Sequence, residues 1–96
     1  MTLKLNILHS AVWLAQRKGL TNLTRESVSA RASCGCGTIN FHFQSMEGLR
    51  SAVMRYAIEN DVMDILVRAW AERNPHLLRR MTPALTMRIS NHILGR

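Results

Sequence analysis

Two short helical patterns, "RESVSARA" (25–32) and "TINFHF" (38–43), are separated by only five residues, "SCGCG". A break of that length has no room for structure of its own, and Gly35 and Gly37, flanking Cys36, mark it as a tight turn. In the helix after the turn, Ile39 and Phe43 stand at i and i+4, so both face inward. A helix, a tight turn and a second helix constrain this chain more than any other feature.

Upstream, Leu5, Ile7, Leu8, Ala11, Val12, Leu14 and Ala15 recur at spacings of three and four, the pattern of one buried helix face. Arg17 and Lys18 suit the carboxyl end of that helix through its dipole, and Gly19 is placed to close it in the left-handed conformation. Thr24 is the expected N-cap of the second helix, with Leu23 stapling its start and Val28 and Ala32 facing inward. Ser45 is placed to cap a fourth helix from Met46, with Glu47 favouring the positive end. The apolar pattern through Leu49, Val53, Tyr56, Ala57, Met63, Leu66, Val67 and Trp70 predicts that this helix is long and stops before Asn74-Pro75. A final helix or two, interrupted at Pro83, carries Leu77, Leu78, Met81, Leu85, Ile89, Ile93 and Leu94. The predicted fold class is therefore all-α: a three-helix helix-turn-helix core, a long fourth helix and one or two short carboxyl-terminal helices.

Ninety-six residues make one small domain, 1–96, with a modest core that a partner or a second copy would help to cover. Few aromatic residues and six methionines suit helices. Thirteen basic side chains against six acidic ones leave +7, and most of the basic ones are Arg, which forks onto phosphate or carboxylate. An anionic partner follows: nucleic acid first, then an acidic protein surface, then a membrane face. No run approaches the roughly 18 to 20 apolar residues that cross a bilayer, and the start has no cleavage signature, so a cytoplasmic location and no membrane partner are expected. Cys34 and Cys36 are too close for an easy disulfide and lack the spacing of a zinc knuckle. With no Cys-His-acid arrangement legible, the chain is expected to be no enzyme and to carry no metal or cofactor.

From Ile7 to Leu49 the chain resembles the amino-terminal DNA-binding domain of the TetR family of repressors. The resemblance rests on Ile7, Leu8 and Ala11, Gly19, Thr24 and Val28, and above all "GTINFHFQSMEGL" (37–49), where the family usually reads something like "GTLYYHFKSKEDL". It implies a helix-turn-helix core over 5–49 and a helical extension over 50–96 that serves as a dimerisation or partner surface. The stretch after Leu49 is too short for the family's usual ligand-binding domain. The chain departs from the family pattern at Gly35 and Cys36 in the turn, at Asn40 in place of Tyr, and at Met46 in place of the Lys that grips phosphate.

The expected partner is double-stranded DNA, with the third helix in the major groove. Gly37 permits close approach, and Thr38 offers a hydroxyl near a helix start. Asn40 suits adenine, Phe41 faces DNA and His42 reaches phosphate, while Arg25 and Arg31 neutralise the backbone. A second candidate surface combines Trp70, Arg79, Arg80, Met81, Leu85 and Arg88, set against the plainer reading of a core face beside a solvated basic face. Arg55 and Arg68 are spaced to pair with Glu59 and Asp64. Two functions follow: a dimeric DNA-binding transcriptional regulator, or a small protein of phage or mobile-element type that uses the same shape to bind a host DNA-processing enzyme or polymerase.

Overall fold

The computed structural model describes residues 2–95 and is all-helical. In chain order it has α1 (Leu3–Lys18), a 3₁₀ turn (Leu20–Asn22), α2 (Arg25–Ala32), α3 (Cys36–Phe43), α4 (Met46–Glu59), α5 (Met63–Ala71), α6 (Pro75–Leu78) and α7 (Pro83–Ile93).

Helix α1 begins two residues before its apolar pattern because Thr2 caps it, its hydroxyl accepting from the Leu5 amide at 3.2 Å. Ile7, Ala11, Val12 and Ala15 are buried, but Leu5 lies outside the core and is exposed. Gly19 ends the helix with φ +88°, yet its ψ of 152° is extended, not the left-handed helical value that its place suggested. Glycine is required there by its backbone, since the positive φ with an extended ψ suits no other residue, whereas the Arg68 guanidinium 2.8 Å from a Cβ could move aside.

Helix α2 starts in the expected place with a full capping box: Thr24 Oγ1 accepts from the Ser27 amide at 3.1 Å, and Ser27 Oγ accepts from the Thr24 amide at 3.3 Å. Its other end is held from α1, where Asn6 Nδ2 donates to the Ala32 carbonyl at 2.9 Å. The turn that follows does not use its glycines as expected. Ser33 takes the left-handed conformation (φ 56°, ψ 48°), and Gly35 is the extended N-cap of α3.

Helix α3 has eight residues, too few to be stable alone, so tertiary burial must hold it. Ile39 is wholly buried and Phe43 nearly so; burying the isoleucine alone contributes about 2–3 kcal/mol. Helix α4 is capped by Ser45, whose Oγ accepts from the Gly48 amide at 3.0 Å.

The long fourth helix is shorter than the periodicity indicated. It ends at Glu59, and Asp61 (φ 53°) reverses the chain into a separate α5. The Val62 amide donates to the Ala57 carbonyl and the Asn60 amide to Tyr56, which closes the end without a glycine. Arg73 (φ 55°) ends α5 in the same way, with the Asn74 amide on the Ala69 carbonyl. Pro75 and Pro83 each occupy the first turn of a helix: Pro83 opens α7 at the interruption expected there, and Pro75 opens a short α6.

Ile7, Val28, Ile39 and Leu49 share one core cluster with Ile65, Leu66, Leu77, Leu85 and Ile89. The tail helices thus pack into the same interior as the helix-turn-helix. No described helix is long and apolar enough to cross a membrane.

Candidate nucleic-acid interface

Because α3 turns Ile39 and Phe43 inward, its opposite side carries Gly37, Asn40 and Phe41, spaced i, i+3, i+4 and all exposed. Phe41 is 82 % exposed, its ring nearly perpendicular to that of His42 with centroids 5.1 Å apart. The exposed ring leaves an apolar contact surface on the outward side of this helix. A Cβ at Gly37 would meet nothing within 4 Å. No neighbouring helix needs that glycine, so the close approach it allows is toward the outside.

Asn40 is held from α2. Arg25, the first residue of that helix, donates from its guanidinium to Asn40 Oδ1 at 3.2 Å, bringing one positive charge to the outward face. Asn40 keeps its amide donor and a second lone pair on Oδ1, the two features a bidentate contact to a base edge uses. Arg25 Nε is buried, and no described residue accepts from it. Thr38 and His42 are half-buried at the flanks. His42 lines a hollow of about 350 Å³ between α1, α3 and α4, together with Lys4 and Arg55.

Arg31 is not brought to this face. It lies six residues beyond Arg25, which puts it roughly 120° away around α2, and it stacks 3.3 Å over the Trp13 ring of α1. Arg17 stacks on the same ring at 3.4 Å, which places the two guanidinium groups on opposite faces of the indole.

Cys36 occupies the first turn of α3, its Sγ 3.3 Å from Ser29 Oγ of α2; Cys34 is half-buried and both thiols are free. Met46 is half-buried against the core, where the family's lysine would reach outward. No group of three or more His, Cys, Asp or Glu side chains with metal-binding geometry occurs among the described residues.

Of the second candidate surface, only Leu85 is buried and Arg79 is exposed, the other four residues being half-buried. Leu85 is 2 % exposed and belongs to the core, with Met81 and Trp70 half-buried against it. Arg80 donates to Ser51 Oγ of α4 at 2.6 Å and to the His76 carbonyl at 2.9 Å. Arg88 donates to the Ile58 carbonyl at 2.7 Å and pairs with Asp61, so it finishes the carboxyl end of α4. Arg79 reaches the Pro75 carbonyl at 3.1 Å. Arg80 and Arg88 fasten the tail to α4, and the large apolar residues that the tail does expose are Leu78, Met87, Ile93 and Leu94. Arg68 pairs with Glu72 at 3.5 Å, not with Asp64, and Arg55 and Glu59 form no ion pair.

Sequence reasoning missed one polar cluster altogether. Glu47 Oε1 accepts from Arg50 at 2.7 Å and Oε2 meets His76 Nε2 at 2.9 Å. The Arg50 hydrogen bond, with that of His76, holds the Glu47 carboxyl below the usual carboxylate range. Arg50 also donates to the Leu23 carbonyl at 2.8 Å. Only the distance of 29 residues between Glu47 and His76 hid this cluster, since the sequence offers no spacing rule that joins them.

A short helix anchored on one side, displayed on the other and braced by a capped helix before it is a helix-turn-helix arrangement. Residues 7–53, just under half of the chain, match the profile of the bacterial regulatory proteins of the tetR family. That segment is similar to the amino-terminal helix-turn-helix domain of that family. No curated protein and no solved structure matches the chain.

Proposed function

We propose that the protein is a transcription regulator that reads double-stranded DNA by placing α3 in the major groove. The observation that supports this most is the outward face of α3, where an 82 % exposed Phe41 stands beside an Asn40 already oriented by Arg25. In this reading Asn40 contacts a base edge, Phe41 packs on a thymine methyl group, and Gly37 and Thr38 approach the backbone at the start of the helix. Arg25 neutralises phosphate while it positions Asn40, and His42 meets phosphate at the flank. Arg31, stacked on Trp13, adds positive field and not a direct contact.

One helix of eight residues reads too few base pairs for high specificity, so two copies act together on a pair of half-sites. The exposed Met87, Ile93 and Leu94 of the tail supply their apolar contact. The protein works in the cytoplasm, where bacterial DNA is found.

Binding to a selected duplex and to an unrelated one separates these roles. Asn40→Ala and Phe41→Ala each reduce discrimination by about 1–3 kcal/mol, the worth of one base contact. Undiminished discrimination in both variants would remove α3 from the groove.

A further inference from the structure

Helix α6 has only four residues, yet it is tied to the helix-turn-helix by two polar routes that end on one connector. In the first, Asn74 Nδ2 donates to Thr21 Oγ1 at 3.4 Å, while Asn74 Oδ1 caps α6 by accepting from the His76 amide at 2.9 Å. In the second, His76 Nε2 meets Glu47 at 2.9 Å, Glu47 meets Arg50 at 2.7 Å, and Arg50 donates to the Leu23 carbonyl at 2.8 Å. Leu23 immediately precedes Thr24, the N-cap of α2, and the next residue, Arg25, holds Asn40. A line of contacts therefore runs from the tail to the side chain that faces the groove.

His76 is the buried member of this line, with its side chain 7 % exposed. Arg79 donates to its Nδ1 at 3.4 Å, which matches the tautomer with hydrogen on Nε2, the nitrogen that faces Glu47. The surrounding crevice, about 330 Å³, is lined by Thr21, Glu47, Arg50, Asn74, Pro75 and His76. The polar side chains in it are already joined to one another, and Arg50 Nε is too buried to reach anything that entered. The arrangement is a clasp and not a vacant ligand site.

We propose that His76 is a positioning residue for DNA recognition: through Glu47 and Arg50 it sets the start of α2, and through Arg25 the orientation of Asn40. This rests on the reading that α3 enters DNA. The inference separates two properties that a general loss of stability would change together. Losing the clasp lets Asn40 wander, which weakens base reading, whereas Arg25 keeps its charge beside the phosphates and the other backbone contacts remain.

The test compares the full chain with its His76→Ala, His76→Gln and Glu47→Gln variants. Each is titrated against the duplex that the wild type recovers from a randomised pool and against an unrelated duplex. Hydrogen exchange of the α2 and α1 amides is measured on the same samples. His76→Ala is expected to bind the selected duplex about tenfold more weakly, the scale of one charge-assisted contact, and the unrelated duplex equally well. Its α2 amides exchange faster while those of α1 do not. His76→Gln, which keeps a donor toward Glu47, restores discrimination.

Unchanged discrimination in a folded His76→Ala protein overturns the proposal. If that variant does not fold, Glu47→Gln carries the test, and its wild-type discrimination overturns the proposal equally. A wild type that recovers no duplex defeats the DNA reading itself. The exchange comparison then decides the clasp alone: faster α2 exchange supports it, and unchanged exchange refutes it.

Discussion

Two glycines of the reading head show how differently one residue type is used. Gly37 has a backbone that any residue can adopt and empty space where its side chain would be, whereas a Cβ on Gly48 would overlap the Phe43 carbonyl oxygen. Gly37→Ala should therefore stabilise the protein by about 0.4–1 kcal/mol through the unfolded chain. It should also weaken DNA binding, because the added methyl group stands on the face that approaches the partner. Gly48→Ala should cost about 1–3 kcal/mol, since α4 must move away from the end of α3 to make room. Thermal melts of both variants, with one DNA titration of the first, check the pair. A Gly37→Ala protein that is less stable, or binds DNA as tightly as the wild type, would contradict this account of α3. The outward faces of Asn40 and Phe41 were legible in the sequence because Ile39 and Phe43 fix the helix phase. The Arg25–Asn40 hydrogen bond was not, because it depends on how two helices cross.

At the scale of helices, the ends were the hard part. Starts carry side-chain caps at Thr24 and Ser45, or a proline in the first turn, and those residue types are readable. Three ends are closed by Ser33, Asp61 and Arg73 in the left-handed region, where glycine is the usual signal. The apolar stripe also stays in phase from Leu49 to Trp70, so the break after Glu59 left no mark in the periodicity. Arg88 is part of what makes that break stable, since it satisfies the Ile58 carbonyl and pairs with Asp61. Arg88→Ala should cost about 1–2 kcal/mol, the price of leaving that carbonyl without its partner. Arg79→Ala, which gives up an exposed bond to the Pro75 carbonyl and a long one of 3.4 Å to His76 Nδ1, should cost less than that, about 0.5 kcal/mol. Urea unfolding of the two variants side by side measures the difference, and equal midpoints would mean that Arg88 does not hold α4.

For the whole molecule, the helix-turn-helix and the tail share one interior and are tied by the His76–Glu47–Arg50 clasp. The excess of basic residues was read as a sign of an anionic partner, and the structure divides that charge into separate tasks. Arg25 is on the outward face, Arg17 and Arg31 sandwich Trp13, and Arg50, Arg80 and Arg88 brace the fold. Net charge alone therefore exaggerates the DNA-facing surface. On the proposed reading, specificity comes from few contacts made by each of two copies, which is why a paired site is expected.

The most direct test of the central claim is to incubate the purified chain with fragmented genomic DNA across a salt series and sequence what it retains. The account predicts enrichment of a short palindromic site that persists at physiological salt, with half-sites spaced by about one helical turn. Retention without sequence preference that disappears as salt rises would show that α3 reads no bases, and would contradict it.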